Sequence, residues 1–301
     1  MPTLFGRKCV VTIQALTAIP VGSSSGLRVE GLRCVFVVTK TSKKEPNTLD
    51  LKVYNYSSQS RAQLQVRGAR TILEAGYQNE SAIIFQGDAR TIDHSRDGAD
   101  WVTHVQCGDG ERATQYARIS QSFAPGVSIQ TVGKALLDKL VVSPYNLQPG
   151  NAVAKLAALT GALTSFPNGR SLHGNVVSEF DTLTRSVGLE FSIQDGEIQL
   201  LADGEPRSTN PIELSAKSGL VGSPEHGSPE KKGGPSVLKV KSLLRAEFQP
   251  GQPVRIEAEH VKGAYKIMTV RHTGDTFGGE WYSELECLPA TNTQLLLEPL
   301  V

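Results

Sequence analysis

Short stretches in which apolar and polar residues alternate recur along the chain and constrain its fold more than any other feature. Residues 49–53 read Leu-Asp-Leu-Lys-Val, and residues 281–287 place Trp, Ser, Leu and Cys at every second position. Because successive side chains of a strand point to opposite faces, this spacing predicts half-buried strands rather than helices. Glycines such as Gly76, Gly87 and Gly98 punctuate the stretches, as short turns require. The sequence therefore predicts a mainly β protein, built as a barrel or a sandwich.

Other stretches of the first 125 residues are also typical of strands. These predicted strands span 8–13, 27–39, 71–74, 82–91 and 101–107. Residues 57–69 are polar with spaced apolar positions and predict either a short helix or an irregular connection. Residues 236–289 form a final β module, in which Val254 and Ile256 alternate with Arg255 and Glu257.

The pattern changes near residue 126, where apolar residues take helical spacing. The three groups are Ile129, Val132, Leu136 and Leu140, then Val153 and Leu156 after a possible Asn151 cap, then Val176, Phe180, Leu183 and Val187. Asn175 is placed as the N-cap of the third helix and Gly188 as its end. Asp195-Gly196 then separates two alternating runs, which predicts a two-residue hairpin turn. Residues 126–203 are thus predicted to form a small α+β module.

Residues 204–235 are rich in glycine, proline, serine and charge, and read as a linker. Within them, residues 222–235 predict a long loop that leaves and rejoins a hairpin, because strand-like sequence lies on both sides. The last residues, 290–301, form an apolar tail that we expect to dock, and a neighbouring subunit is one possible site.

The chain has 301 residues, more than one typical core, so two or three domains are expected. The net charge is +1, yet residues 1–70 hold 11 Lys/Arg against 3 Asp/Glu. This basic third indicates either a face for nucleic acid or an acidic partner, or simply a solvated surface. Lys40, Lys43 and Lys44 stand without interleaved aromatic residues, which weakens a nucleic-acid interpretation.

The sequence features that report on compartment, which are targeting signals and cysteine placement, predict an intracellular origin. No apolar run approaches the roughly 20 residues of a membrane helix, and the first 33 residues lack a signal-peptide pattern. The chain is therefore expected to be made and kept in a cytoplasm. The four cysteines lie in strand-like runs without metal-finger spacing, which predicts buried free thiols, with one disulfide or metal pair as the alternative. They are Cys9, Cys34, Cys107 and Cys287.

No residues have the spacing that catalysis, a cofactor or a metal requires, and we predict no site of these three kinds. A cluster of His94 and His104 with nearby aspartates (Asp93, Asp97, Asp100, Asp109) lacks metal-ligand spacing. His272 and Asp275 are predicted to be a turn pair, in which the carboxylate bonds turn backbone. Residues 108–110 read Gly-Asp-Gly but lack a third glycine, and Glu111 beside Asp109 indicates no cleft of the glycosidase kind.

Two ordered sets of motifs resemble the baseplate hub protein of contractile-tailed bacteriophages. The first set is Asn47 to Ser57, Phe85-Gln86-Gly87-Asp88 and Ala99 to Gly110. The second is Leu243-Leu244, Pro250-Gly251 with Val254, and His272 to Thr276 followed by Trp281. Their order along the chain is that of the family, and the resemblance extends over nearly all residues. The stretch 222–235 matches no motif of the family.

The resemblance implies two tail-tube-like β-barrel domains with a small α+β insertion domain. They map to residues 1–120 and 206–289, with the insertion at 121–205 and a tail at 290–301. It further implies a structural virion protein of the tail baseplate, assembled in the host cytoplasm, without enzymatic activity. Three chains would present six similar barrels, so a homotrimer would join the hexameric tail tube to the trimeric spike around a channel for DNA.

Three other functions stay open at this stage. A tail-associated cell-wall (peptidoglycan) hydrolase would require a cleft with converging carboxylates. Another ring component, such as a tube-initiator or distal tail protein, would be distinguished by six copies instead of three. A carbohydrate-binding module would need exposed aromatic residues, and only 6% of the chain is aromatic.

Overall fold

The computed structural model divides the chain into two compact units. The β unit comprises Met1–Thr41, Asn47–Gly108 and Gly204–Val301, and the α+β unit comprises Ser42–Pro46 and Asp109–Asp203. The structure describes residues 6–14, 26–64, 69–78, 80–142, 145, 147–159, 165–202, 204–207, 210–228 and 236–290. The predicted fold class, a mainly β chain with a small α+β insertion, is confirmed.

Strands greatly outnumber helices in the described part of the chain. In chain order the strands are β1 (Arg7–Gln14), β2 (Gly26–Glu30), β3 (Cys34–Thr41), β4 (Thr48–Tyr54), β5 (Arg70–Tyr77), β6 (Glu80–Asp97), β7 (Asp100–Gly108), β8 (Arg118–Phe123), β9 (Val127–Ser128), β10 (Ser165–Phe166), β11 (Arg170–Asn175), β12 (Leu189–Gln194), β13 (Glu197–Ala202), β14 (Ile212–Ser215), β15 (Leu220–His226), β16 (Leu238–Leu243), β17 (Pro253–Glu257), β18 (Lys262–Asp275) and β19 (Trp281–Pro289). The helices are α1 (Ser58–Gln63), α2 (Glu111–Tyr116), α3 (Ile129–Val141), α4 (Ala152–Ala157) and α5 (Val176–Ser186), with a 3₁₀ turn at Ala216–Ser218.

One continuous sheet of 13 strands forms the β unit. Its order is β15-β16-β19-β18-β3-β4-β7-β6-β5-β1-β2, and β17 pairs with β18 and with β14. The pairing of β14 with β17 is parallel, while β18 is antiparallel to β3, β17 and β19. Along β3, Cys34, Phe36, Val38 and Lys40 are buried while their neighbours are half-buried. This confirms the predicted alternation, because one face of the sheet covers a core.

The inward face of the sheet covers two apolar cores. The first is formed mainly by β1 and β3–β7 and includes Phe36 and Phe85. The second is formed by β14 and β16–β19 and includes Val254 and Leu285. Trp281, at the start of β19, belongs to the first core, whereas Leu285 of the same strand belongs to the second. The two halves of the β unit therefore share strand β19.

Buried polar side chains of β3, β16, β18 and β19 lie between the two cores. We call Lys40, Ser242, His272 and Ser283 the polar layer. Ser283 is opposite His272 of β18 and opposite Ser242 of β16. Ser242, His272 and Ser283 have no exposed surface, and Lys40 is 1% exposed. Such groups are stable in a protein interior only when they are hydrogen-bonded or paired.

Gly274 lies directly beyond the polar layer, against an aromatic pair of the first core. The rings of Phe36 and Trp281 meet edge to face with centroids 5.4 Å apart. A Cβ atom at residue 274 would lie 2.4 Å from Phe36 Cζ and 2.8 Å from Trp281 Cε3. Only glycine fits here, because the aromatic rings occupy the space of a side chain.

Helices α3 and α5 supply a large share of the core of the α+β unit. Their apolar stripes, including Leu136, Leu140 and Phe180, pack with Phe191 of β12 and Leu200 of β13. The rings of Phe180 and Phe191 are perpendicular, with centroids 5.1 Å apart. The three helices predicted from apolar spacing are confirmed by α3, α4 and α5.

The capping residues of this unit agree in part with the sequence. Asn175 Oδ1 accepts a hydrogen bond from Ser178 N at 3.0 Å, as predicted for an N-cap. Asn151 does precede α4, but its side chain makes no capping bond. It instead bonds the backbone N–H and C=O of Leu200, at 2.8 Å each, and so ties α4 to β13.

Several local predictions need correction. The strand predicted over residues 27–39 is interrupted, because Gly31 has a φ of 85° and separates β2 from β3. Residues 222–226 belong to β15, which pairs with β16, so the loop predicted at 222–235 starts later than expected. Residues 229–235 and the tail from 291 onwards lie outside the described residues. Within 57–69, the short helix α1 spans Ser58–Gln63, and residues 65–68 lie outside the described residues.

Candidate functional site

His94 and His104 lie on neighbouring strands, and each contacts its own partners. His94 Nδ1 lies 2.9 Å from Thr103 Oγ1, and its Nε2 lies 3.1 Å from the Arg61 carbonyl oxygen. His104 Nε2 lies 3.0 Å from Asp50 Oδ2 on β4. These contacts link β6 to α1 and β7 to β4. They give both histidines a role in holding the sheet together.

Asp100 takes part in a turn-stabilising contact near the tip of the β6–β7 hairpin. Its Oδ1 accepts a hydrogen bond from Asn55 Nδ2 at 3.0 Å, and Asn55 Oδ1 accepts from Trp101 N at 3.0 Å. The indole ring of Trp101 is flanked by the guanidinium groups of Arg61 and Arg96, 4.1 and 4.9 Å from its centroid. Cation–π contacts of this kind fix the hairpin against α1.

The buried carboxylate of Asp109 binds the turn of another hairpin. It accepts hydrogen bonds from the backbone N–H of Asp195 at 2.6 Å and of Gly196 at 2.8 Å. Those two residues have φ values of 54° and 82°, the backbone of the predicted two-residue turn. Glu111 is also largely buried and accepts a hydrogen bond from the Gln115 amide. The two carboxylates therefore stabilise the α+β unit.

His272 is fully buried within β18, not in the turn that the sequence predicted. Its Nδ1 lies 2.8 Å from Ser283 Oγ, and the same hydroxyl oxygen accepts a hydrogen bond from Arg245 N at 3.1 Å. Burial, and then the charge of Lys40, lower the pKa of His272 to about 3. The imidazole is consequently neutral at physiological pH. It acts as a hydrogen-bonding member of the polar layer.

Asp275 fixes the β18–β19 turn, as the sequence predicted for an aspartate bonded to turn backbone. Its Oδ1 accepts from Phe277 N at 3.0 Å, and its Oδ2 from Arg33 Nη2 at 2.8 Å. Partial burial raises the pKa of Asp275, but Arg33, the Phe277 N–H and Arg7 outweigh it and hold the pKa below its usual value. The carboxylate is thus ionised and engaged in the turn.

The cysteines are four buried free thiols, as predicted. Contact with Cys34, together with burial, raises the pKa of Cys9 far above its usual value. Burial raises the pKa of Cys107 to about 12 and likewise raises that of Cys287. A thiol whose pKa is raised stays protonated, and a protonated thiol is a poor nucleophile and a poor metal ligand. Among the described residues, no group of three or more His, Cys, Asp or Glu side chains is placed to hold a metal ion.

Many cations of the basic N-terminal third are engaged within their own unit. In the β unit, Lys8 Nζ lies 3.5 Å from Glu74, and Arg33 binds Asp275. In the α+β unit, Lys44 Nζ lies 3.5 Å from Asp181. Lys40 is part of the polar layer. Other cations of this third are exposed at the surface, and Lys52 is an example.

Two surface features of the β unit were missed by the sequence analysis. The first is an open groove of about 650 Å³ on the outer face of β15, β16, β18 and β19, bordered by Lys239, Lys241, Arg271 and Glu284. Its charges pair across the strands, as between Lys241 and Glu284 at 3.6 Å. The second is a smaller pocket of about 400 Å³ beside the β5–β6 turn, with Tyr77 and Leu244 in its lining. Both join distant parts of the sequence, so no local pattern indicates them.

The fold is that of solved phage tail proteins, matched over almost the whole chain. The 43 kDa tail protein of prophage MuSo2 from Shewanella oneidensis gives a TM-score of 0.63 at 9% identity, covering 95% of this chain and 99% of that one. The tail protein from Neisseria meningitidis gives 0.64 at 10% identity, covering 95% and 97%.

A third similar structure comes from a type VI secretion system. It is an E. coli type VI secretion system component, described as structurally similar to the T4 bacteriophage tail proteins gp27 and gp5. Its TM-score is 0.58 at 10% identity, with 86% of this chain and 73% of that chain covered. No family model and no curated protein matches the chain. The described residues also contain no helix long and apolar enough to cross a membrane.

Proposed function

We propose that the chain is the central hub of a phage tail baseplate, a structural part of the virion. The observation that carries this proposal is the extent of the structural match. It covers 95% of this chain and nearly all of two solved tail proteins, so the whole architecture is shared. The ordered motifs around Phe85, Pro250 and Trp281 support the same assignment from the sequence.

The hub would act as a homotrimeric adaptor between a hexameric tail tube and a trimeric spike. Support comes from the two apolar cores of the β unit, since three chains with two such cores supply six similar elements. Closed cyclic symmetry allows such a ring to meet a six-fold partner on one side and a three-fold partner on the other. We assign the domains as 1–120, 121–205 and 206–289, with a C-terminal tail at 290–301.

We further propose that the chain has no enzymatic activity. The titratable residues singled out in the sequence hold elements together: His104 bonds Asp50, Asp109 binds a hairpin turn, and Asp275 binds Arg33. Each of these contacts gives its residue a structural role, which supports a non-enzymatic protein. Passage of DNA through a central channel belongs to the same proposal, with exposed cations such as Lys52 facing it.

The test is the mass of the purified protein by light scattering, alone and with co-expressed tail proteins. The hub proposal predicts a species near three times the 32.4 kDa chain. A hexamer would assign the protein to a tube-initiator or distal ring instead. A monomer in both preparations, together with turnover of purified peptidoglycan, would replace the hub with a wall hydrolase.

A further inference from the structure

Two of the four buried cysteines lie against each other in the first core. Cys9 of β1 and Cys34 of β3 belong to the same cluster of buried side chains. Their side chains are in contact, and this contact, together with burial, raises the pKa of Cys9. The other two cysteines differ, because burial is the main cause of the raised pKa of Cys107 and of Cys287.

The contact between Cys9 and Cys34 crosses a line along which the sheet is not hydrogen-bonded. Four strands separate β3 from β1 in the order of the sheet, which curls around the first core until these two strands meet. In the described part of the chain, β1 pairs with β2 and β5, and β3 pairs with β4 and β18. No ladder of these described strands therefore joins β1 to β3, and side chains close the gap. We call this line the β1–β3 seam.

The path of the backbone brings the two cysteines together independently of their thiols. Val10, the residue after Cys9, is opposite Glu30 in the β1–β2 ladder. The chain then turns at Gly31, where φ is 85°, and enters β3 at Cys34. One cysteine consequently lies on each side of the seam, and both side chains face the first core.

Both sides of the seam are also bonded to the turn between β18 and β19. Cys34 N donates to Thr276 Oγ1 at 2.9 Å, and the Cys34 carbonyl oxygen accepts from Thr276 N at 3.0 Å. Arg7, two residues before Cys9, donates to the Asp275 carbonyl oxygen at 2.6 Å. These bonds limit the motion of β1 against β3 and keep the two thiols at close range.

A buried phenol lies beside the pair. Tyr56 belongs to the same core, and its hydroxyl has no hydrogen-bond partner among the described residues. Burial raises the pKa of Tyr56, and the nearby Cys34 and Cys9 raise it further. The hydroxyl is therefore protonated and has a hydrogen bond left to donate. Such a group costs free energy until a partner, such as a small polar molecule, bonds it.

We propose that Cys9 and Cys34 are an oxidation site, at which hydrogen peroxide joins the two thiols in a disulfide across the β1–β3 seam. One thiol loses its proton and attacks a peroxide oxygen, so that a sulfenic acid forms and the O–O bond breaks. The departing hydroxide takes that proton and leaves as water. The second thiol then attacks the oxidised sulfur, the S–S bond forms, and a second water leaves. Each sulfur loses one electron, and each peroxide oxygen gains one.

The surroundings of the pair set the rate of this reaction. Tyr56 is placed to donate a hydrogen bond to the departing peroxide oxygen. Because Cys9 is buried and protonated, oxidation is slow, and the pair stays reduced where reductants are abundant. The inference rests on the proposed function for its setting, since a part of a virion leaves the reducing cytoplasm in which it is made. The disulfide would then strengthen the curled sheet after assembly.

The first test counts the thiols of the whole chain before and after treatment with peroxide. Wild type should go from four free thiols to two, with a mass loss of about 2 Da that a reductant reverses. Peptide mapping should link residue 9 to residue 34. Cys9→Ala should keep all its thiols, whereas the matched control Cys107→Ala, which lacks another thiol of the same core, should still form the link. Four remaining thiols, a link between other cysteines, or sulfinic acid in place of the link would overturn the inference.

Thermal unfolding tests whether the disulfide strengthens the seam. The oxidised chain should melt about 5–10 °C above the reduced chain, because the bond restricts the unfolded chain between residues 9 and 34. Cys107→Ala should show the same rise and Cys9→Ala none. An oxidised wild-type chain that melts no higher than the reduced one would overturn this role of the bond.

Tyr56→Phe tests the phenol through a rate. The variant keeps the ring and should reach the same final yield of disulfide about fivefold more slowly. A rate equal to that of wild type would overturn the role of Tyr56.

The thiol count and the mass of the assembly separate this inference from the proposed function. A trimer that keeps four thiols under peroxide would overturn the disulfide and leave the hub proposal intact. A persistent monomer that forms the link would support the disulfide and count against a self-assembling hub.

Discussion

The two cores of the β unit differ in the side chains that are buried at and beside them. The first core is closed by apolar side chains and by the edge-to-face contact of Phe36 with Trp281. The second borders the polar layer, where His272 and Ser283 are buried as a hydrogen-bonded pair. The first core is therefore stabilised by close packing of apolar side chains. The junction between the two cores is stabilised by hydrogen bonds, which depend on the protonation of His272. A change of pH should act on the junction and spare the first core.

The largest expected effect comes from removing a ring of the first core. Phe36 is fully buried, so Phe36→Ala should lower the free energy of unfolding by about 3–5 kcal/mol, measured in urea. The loss combines the transfer of the ring with the cavity left beside Gly274. Phe277→Ala is the control and should cost less than about 0.5 kcal/mol, because its ring is exposed. Similar losses in both variants would show that the first core is not tightly packed.

Acid should weaken the junction by the next largest amount. The pKa of His272 is about 3 in the folded chain and near 6.5 when it is exposed, so the unfolded chain binds more protons between these values. The contribution of His272 to the free energy of unfolding is therefore complete above about pH 6.5. It falls as the pH drops towards 3, by at most a few kcal/mol. The measurement is the free energy of unfolding at several pH values.

Two substitutions separate His272 from other titrating groups. His272→Gln should flatten the dependence between pH 4.5 and 6.5, whereas the exposed His260, changed to Gln, should leave it unaltered. Asp275 and Glu74, whose pKa values are held below their usual range, lose their contributions at lower pH. An unchanged slope in His272→Gln would refute this account of the polar layer.

Removal of one hydroxyl should have a smaller effect. Ser283→Ala leaves His272 Nδ1 and the Arg245 N–H without their shared partner, which should cost about 1–3 kcal/mol. Ser122→Ala is the control, since its hydroxyl is exposed and meets only Ser171 Oγ at 3.1 Å. Thermal unfolding of the two variants makes the comparison. A Ser283→Ala chain as stable as wild type would mean that the layer tolerates unpaired groups.

The smallest effect is expected at the surface of the first core. Arg33 has a side chain that is 39% exposed, so Arg33→Ala should destabilise the chain less than Ser283→Ala does, despite its bond to Asp275. Arg28→Ala, which removes an exposed pair with Glu30 at 3.6 Å, should cost less still. Chemical denaturation in low and high salt checks both. A loss as large as that of Ser283→Ala would show that the turn supports the core.

Patterns of nearest neighbours made much of this fold predictable. Alternation at 49–53 identified β4, helical spacing from Ile129 identified α3, and Asn175 marked the start of α5. The Asp195-Gly196 turn followed from its need for positive φ. In each case the physical cause lies within a few residues of the chain.

What the sequence did not reveal depends on residues far apart in the chain. Lys40 looks like a solvated loop cation, yet it is buried because β3 runs between the two halves of the sheet. Asp109 was considered as a glycosidase carboxylate and rejected, but no local pattern indicated its actual partners, which lie 86 and 87 residues away. The pocket beside the β5–β6 turn joins residues near 80 to residues near 245 in the same way. Such contacts are set by tertiary packing, which local spacing does not encode.

The strands β18 and β19 give the β unit a mechanical property. β18 has 14 residues, about 45 Å of extended backbone, and it pairs with β19 from Tyr265 to Gly274. The two cores are thus mounted on one pair of strands and not on a flexible linker. A force applied at one end of β18 is transmitted to the other end by the covalent backbone and by the hydrogen bonds to β19. The two halves of the β unit should therefore move together under load.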